Sequence, residues 1–201
     1  MLSVGKSSIV AVTVSVVMGI LVGAAVANRL AASTQTLTTT WSQLTFTDAF
    51  GNAFICPVTL AGSLHSRTVT KTASALMGFI NRASVGACGF GSATMLQAAL
   101  PWHLRYRSFA GMLPNITSIK TDLIGVSFRL EATSGAACLF ASGGTEPLVA
   151  TFSRNTVSGA VTSTALNGTI TSNEACSFGI RTSIRVDGSS TTVTALTITL
   201  I

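Results

Sequence analysis

Residues 102–109 read Trp-His-Leu-Arg-Tyr-Arg-Ser-Phe. In an extended chain successive side chains point to opposite faces. Trp102, Leu104 and Tyr106 then share one face, and His103, Arg105 and Arg107 share the other. The pattern is that of a strand with one buried and one solvated side. Pro101 stands at its start, where a strand tolerates proline.

The same reading extends outward from this stretch. Residues 116–132 alternate over a long run, with Leu123, Val126, Phe128 and Leu130 as apolar members and Gly125 as an expected bulge. Residues 54–60 and 64–70 suggest a hairpin around Ala61-Gly62. Shorter β-rich runs follow at 139–141, 148–154, 157–164, 169–171, 177–186 and 191–201. Residues 72–84 are the exception. Ala73, Leu76, Met77 and Ile80 fall at helical spacing, which predicts one short amphipathic helix. About nine to eleven short strands at regular spacing imply an all-β fold, an antiparallel β-sandwich or barrel-like sandwich, with that helix across an edge or an end.

Composition agrees. The chain has 201 residues, 48% hydrophobic and only 9% charged, with a formal net charge of +6. Its 29 Thr and 24 Ser give about a quarter of the chain a hydroxyl. Such hydrophobicity argues against intrinsic disorder, and the scarcity of Glu and Lys against a coiled coil. The length suits one domain, expected over 41–201, after a Ser/Thr-rich tail over 28–40.

Before that tail, Lys6 precedes nineteen uncharged residues, 9–27, reading IVAVTVSVVMGILVGAAVA and ending Ala25-Val26-Ala27. A basic start, an apolar stretch and a small-x-small exit make a signal peptide, cut after Ala27. The rival is an uncleaved anchor, since nineteen helical residues reach about 28 Å, roughly a bilayer core. Either way the domain is expected to be secreted or at the cell surface. Cys56, Cys88, Cys138 and Cys176 fit an oxidising compartment, as an even set without a CxxC pair. Three connectivities are possible, and the sequential one, Cys56–Cys88 with Cys138–Cys176, would close one half of the chain each.

Side chains for catalysis are few. Past the N-terminal segment stand six carboxylates (Asp48, Asp122, Glu131, Glu146, Glu174 and Asp187) and two histidines, His65 and His103. No acid falls in a catalytic spacing, and neither GxSxG nor HExxH occurs. A hydrolase whose site the spacing does not locate stays as an alternative. The expectation is a non-catalytic domain without cofactor or metal.

The cations are more ordered. His103, Arg105 and Arg107 share one strand face, His65 and Arg67 a second, and Arg181 and Arg185 a third. Guanidinium forks suit phosphate, sulfate and carboxylate. A joined surface of His65, Arg67, His103, Arg105, Arg107, Arg181 and Arg185 would bind anionic glycans, envelope polymers or lipid headgroups. The bland alternative is a set of solvated strand faces. No motif for specific nucleic-acid binding is present. The closing run STTVTALTITLI, rich in β-formers and free of charge, is a candidate edge strand for self-association. Membrane attachment is expected only if residues 9–27 are retained.

Three segments, FICPVTLAGSLHSRTVTK (54–71), LPWHLRYRSFAGMLPNITSI (100–119) and the closing ALTITLI, resemble small secreted actinobacterial proteins of unknown function. They share a Cys-Pro-Val-Thr-Leu stretch, a Leu-Pro-Trp-His stretch and a Leu-Pro-x-Ile stretch, and the likeness spans most of the exported domain. The resemblance implies export from a Gram-positive-type bacterium and carries over no activity or functional residue.

Overall fold

The computed structural model describes residues 29–112, 115–172, 176, 183–190, 192–193 and 195–201. Its strands are β1 (Arg29–Ala32), β2 (Thr36–Asp48), β3 (Ala53–Leu64), β4 (Thr68–Thr70), β5 (Leu76–Val85), β6 (Ser92–Met95), β7 (Trp102–Met112), β8 (Asn115–Ile124), β9 (Ser127–Glu131), β10 (Ala137–Ala141), β11 (Leu148–Arg154), β12 (Val161–Thr171), β13 (Ser183–Ser190), β14 (Thr192–Val193) and β15 (Ile198–Leu200).

Eight long strands pair antiparallel in the order β13–β12–β11–β8–β7–β5–β3–β2, and β13 pairs again with β2. The closing ladder runs from Ile184 opposite Asp48 to Asp187 opposite Thr45. The sheet is therefore a closed ring, which has no free edge. A three-stranded cap, β15–β1–β4, covers the end that receives the β3–β5, β7–β8 and β11–β12 connections. A second cap, β10–β9–β6, covers the other end.

Inward side chains fill the ring. Trp41, Trp102, Leu44, Leu123 and Val186 are almost completely buried. Phe46 meets Phe128 at 5.0 Å between ring centroids, and Phe128 stacks on Phe140 at 5.5 Å. This aromatic run fastens the second cap to the barrel. Two disulfides, Cys56–Cys88 and Cys138–Cys176, tie connections to the wall in the sequential pairing. The first holds the loop after β5 against β3, and the second holds β10 to the segment between β12 and β13.

The antiparallel all-β expectation holds, and several details differ. Residues 72–84 form no helix: they make a turn and then β5. The register shifts between Leu76 and Gly78 against β7, and between Gly62 and Ala61 against β3, where Ile80 and Arg82 are the partners. Each shift adds a residue to β5. The inward residues Met77, Ile80 and Ala83 are thus three apart, a spacing that imitates a helix. The one helical element among the described residues is a short 3-10 turn, Gln97–Ala99.

The hairpin expected around Ala61-Gly62 is also absent, because β3 runs straight through it. Gly62 marks a close approach of β3 and β5: a Cβ there would sit 2.0 Å from the Phe79 carbonyl oxygen. Gly125, at a φ of +83°, ends β8 and releases the chain into the second cap, so the long run at 116–132 is two strands. The stretch read as a tail is folded from residue 29 onward. Leu30 and Ala32 of β1 are buried in the first cap, and β2 begins at Thr36. The closing run divides into the end of β13, β14 and the three-residue β15, which pairs with β1.

Among the described residues no helix is long and apolar enough to cross a membrane. The outer wall carries Thr, Ser, Arg, Lys and Asp while the interior is apolar. A bilayer-spanning barrel has the reverse polarity.

Candidate functional site

The outer face of β5, β7 and β8 carries three of the seven residues predicted on strand faces, His103, Arg105 and Arg107. On β7, Trp102, Leu104 and Tyr106 are buried and His103, Arg105 and Arg107 are exposed, as the alternation requires. Arg105 stands opposite Leu76 of β5 and Asp122 of β8. A register shift follows, with Tyr106 opposite Thr121 and Ser108 opposite Lys120. Arg107 is the extra residue. It donates from Nη1 to Asp122 Oδ1 at 3.0 Å. Lys120 projects from the same wall, opposite Ser108 and Thr151. Three cations therefore share this stretch of wall with one carboxylate, which Arg107 contacts. The pair is exposed enough, 50% and 20% at its two side chains, that its attraction holds geometry more than stability.

The two histidines flank Phe79 of β5, His65 by ring contact and His103 by strand pairing. The ring of His65, at the end of β3, lies 5.4 Å from that of Phe79 on β5. Phe79 is the cross-strand partner of His103. His65 is fixed by its backbone N–H, which donates to the Met77 carbonyl at 2.8 Å. The exposed His65 and His103 and the half-buried Phe79 between them thus border the Arg105–Arg107–Lys120 cluster. Phe79, Lys120 and Asp122 are the members that sequence reading missed. Pairing of β7 with β5 and β8 was the missing information.

The other predicted residues lie elsewhere. Arg67 sits in the turn before β4, where its carbonyl accepts the Ala32 N–H at 2.7 Å, so it belongs to the first cap. Arg185 is on β13 beside Asp187, at 3.4 Å. In the ring, β13 is four strands from β7 in either direction, on the opposite side of the barrel. The joined surface that would include Arg185 is therefore not formed. Arg181 lies outside the described residues.

The described carboxylates have structural partners. Asp48 accepts the Phe50 and Asn52 N–H groups at 2.9 and 2.8 Å and closes the β2–β3 turn. Glu146 accepts the Thr171 N–H at 3.1 Å, and Glu131 lies 3.6 Å from Arg129. Asp122 and Asp187 are the ion-pair members already described. Glu174 lies outside the described residues. Among the described residues no three His, Cys, Asp or Glu side chains are grouped as metal ligands would be.

Among the described residues the interior offers little room. Four cavities along the barrel are only about 10–20 Å³ each, the space of a single water. The Thr164 hydroxyl beside one of them is buried without a partner, and so is the Trp102 indole N–H. Burial raises the Tyr106 phenol above its ordinary pKa and lowers that of the Arg154 guanidinium.

No family model, curated protein or solved structure matches this chain.

Proposed function

We propose that this chain is an exported, non-catalytic binding domain of the cell envelope that holds an anionic polymer on its β5–β7–β8 wall. The observation that carries the reading is the cluster of Arg105, Arg107 and Lys120 on one stretch of wall with the single carboxylate of Asp122, bordered by Phe79 between two histidines. Guanidinium groups pair with phosphate, sulfate or carboxylate. A ring flanked by imidazoles suits the apolar face of a sugar. A repeating oxyanion along an extended chain matches a row of cations spaced along a strand.

Several features support export and a non-catalytic role. The sequence begins with a signal-like segment, and two disulfides fit an oxidising compartment outside the cytoplasm. The described carboxylates are engaged in turns and ion pairs, and the interior cavities are water-sized. The resemblance to small secreted actinobacterial proteins points to a Gram-positive-type envelope as the setting.

The test is retention of the exported, oxidised protein on immobilised polyglycerol phosphate and on a neutral polysaccharide. Retention on the phosphate polymer, released by salt, is expected. Equal retention on both supports, or on neither, would overturn the reading.

A further inference from the structure

The barrel is polarised along its axis. The first-cap end carries Arg29, Arg67, Lys71 and Arg154, and among the described residues there no Asp or Glu accompanies them. The acids Asp48, Glu131 and Glu146 belong to the other end, with Arg129, Arg185 and the exposed Phe50. The first-cap end also exposes apolar tips. Met112 on the β7–β8 hairpin is 85% exposed, Val157 in the β11–β12 turn 95%, and Ile201 beyond β15 55%.

Two further observations point to an occupant. Arg154 has Nε and Nη1 buried without a protein partner, although it is among the few cations of the chain. Those two nitrogens have no exposed surface for a headgroup to reach, so Arg154 contributes charge to this end rather than a contact. In addition, β1 is the central strand of this cap, and in the sequence a single residue, Asn28, separates it from the uncharged run 9–27. The chain thus enters the barrel through the end where cations and apolar tips combine.

We propose that the first-cap end is a membrane-docking face that seats on an anionic bilayer, with Arg29, Arg67 and Lys71 toward the headgroups, Arg154 adding charge behind them, and Met112, Val157 and Ile201 in the interface. Basic residues with a few inserted apolar side chains are what binding to a charged bilayer surface requires. The face is distinct from the β5–β7–β8 wall and does not rest on polymer binding there. Docked end-on, the barrel would hold its wall roughly upright above the lipid, accessible to envelope polymer.

Met112 supplies its own probe, because the barrel's other methionines, Met77 and Met95, are buried. The exported protein is exposed to dilute peroxide alone, with phosphatidylcholine vesicles, and with vesicles containing phosphatidylglycerol. Met112 sulfoxide is then read by peptide mass spectrometry. Phosphatidylglycerol vesicles are expected to slow Met112 oxidation, and salt to restore it. Equal slowing by both vesicle types would overturn the proposal, because a neutral surface gives the cations nothing to bind. Each lost cation should weaken docking by roughly fivefold. Arg67→Gln with Lys71→Gln should therefore cost about 30-fold in affinity, and Arg105→Gln with Arg107→Gln should leave docking unchanged. Unchanged Met112 oxidation on anionic vesicles would overturn the proposal. So would protection that depends on Arg105 and Arg107 but not on Arg67 and Lys71. Either result leaves polymer binding by the wall to be judged on its own assay.

Discussion

Replacing Cys56 and Cys88 together by alanine tests how far this barrel depends on its staples. The bond joins residues 32 apart and closes the connection from β3 through β5 to the loop beyond it. In the chain-entropy model a loop of that length restricts the unfolded ensemble by about 4 kcal/mol. Cys56 is fully buried, so removing its sulfur adds a small packing loss, perceptible but below about 1 kcal/mol. A domain of this size has on the order of 5–15 kcal/mol in total. The double variant should therefore lose about 4–5 kcal/mol and remain folded unless the wild type lies at the bottom of that range. Equilibrium urea unfolding of oxidised wild type and variant, followed by tryptophan fluorescence, measures the difference. With a slope of about 2 kcal/mol per molar, the midpoint should fall by roughly 2 M. A loss under about 1 kcal/mol would refute the reasoning, because the loop would then be constrained by something other than the bond.

Three other outcomes follow from the interior. Gly62→Ala should cost about 3 kcal/mol or more, since its Cβ would meet the Phe79 carbonyl at 2.0 Å, whereas Gly143→Ala, with nothing within 4 Å, should change stability by less than about 0.5 kcal/mol. Thermal unfolding of the two compares them directly. Thr164→Val removes a buried hydroxyl that has no partner and leaves the carbonyl that accepts the Trp41 indole N–H, so stability should rise by about 1 kcal/mol. A loss of similar size would instead place an ordered water in the adjoining cavity. Tyr106 is the one tyrosine of the chain, and burial raises its pKa. The unfolded phenol ionises first, so stability present below pH 10 should decline as pH rises from there through the folded value. Tyr106→Phe should flatten that decline in denaturant titrations at increasing pH.

Alternation made the inner and outer faces of β7 legible from sequence, because each side of a half-buried strand imposes its own chemistry on every second residue. It failed at β5, where two inserted residues convert a period of two into a period near three. Gly62 misled for a related reason: glycine marks both turns and close strand contacts, and only the position of Phe79 distinguishes them. Ring closure depends on β13 meeting β2 across almost the whole chain, and no local pattern encodes that. The same non-local pairing decides that Arg105 and Lys120 are neighbours while Arg185 lies across the barrel. Lys71 and Arg154 were unremarkable in sequence because nothing local shows that their loops converge on one end.

The most direct measurement for the binding account is calorimetric titration of the exported protein with polyglycerol phosphate. Wild type would be compared with an Arg105→Gln, Arg107→Gln, Lys120→Gln variant and with Arg185→Gln on the opposite wall. At about 1 kcal/mol for each exposed charge pair, the triple variant should bind at least tenfold more weakly, and Arg185→Gln should match wild type. Equal affinity in all three proteins, or no binding by wild type at low salt, would contradict the assignment of the β5–β7–β8 wall.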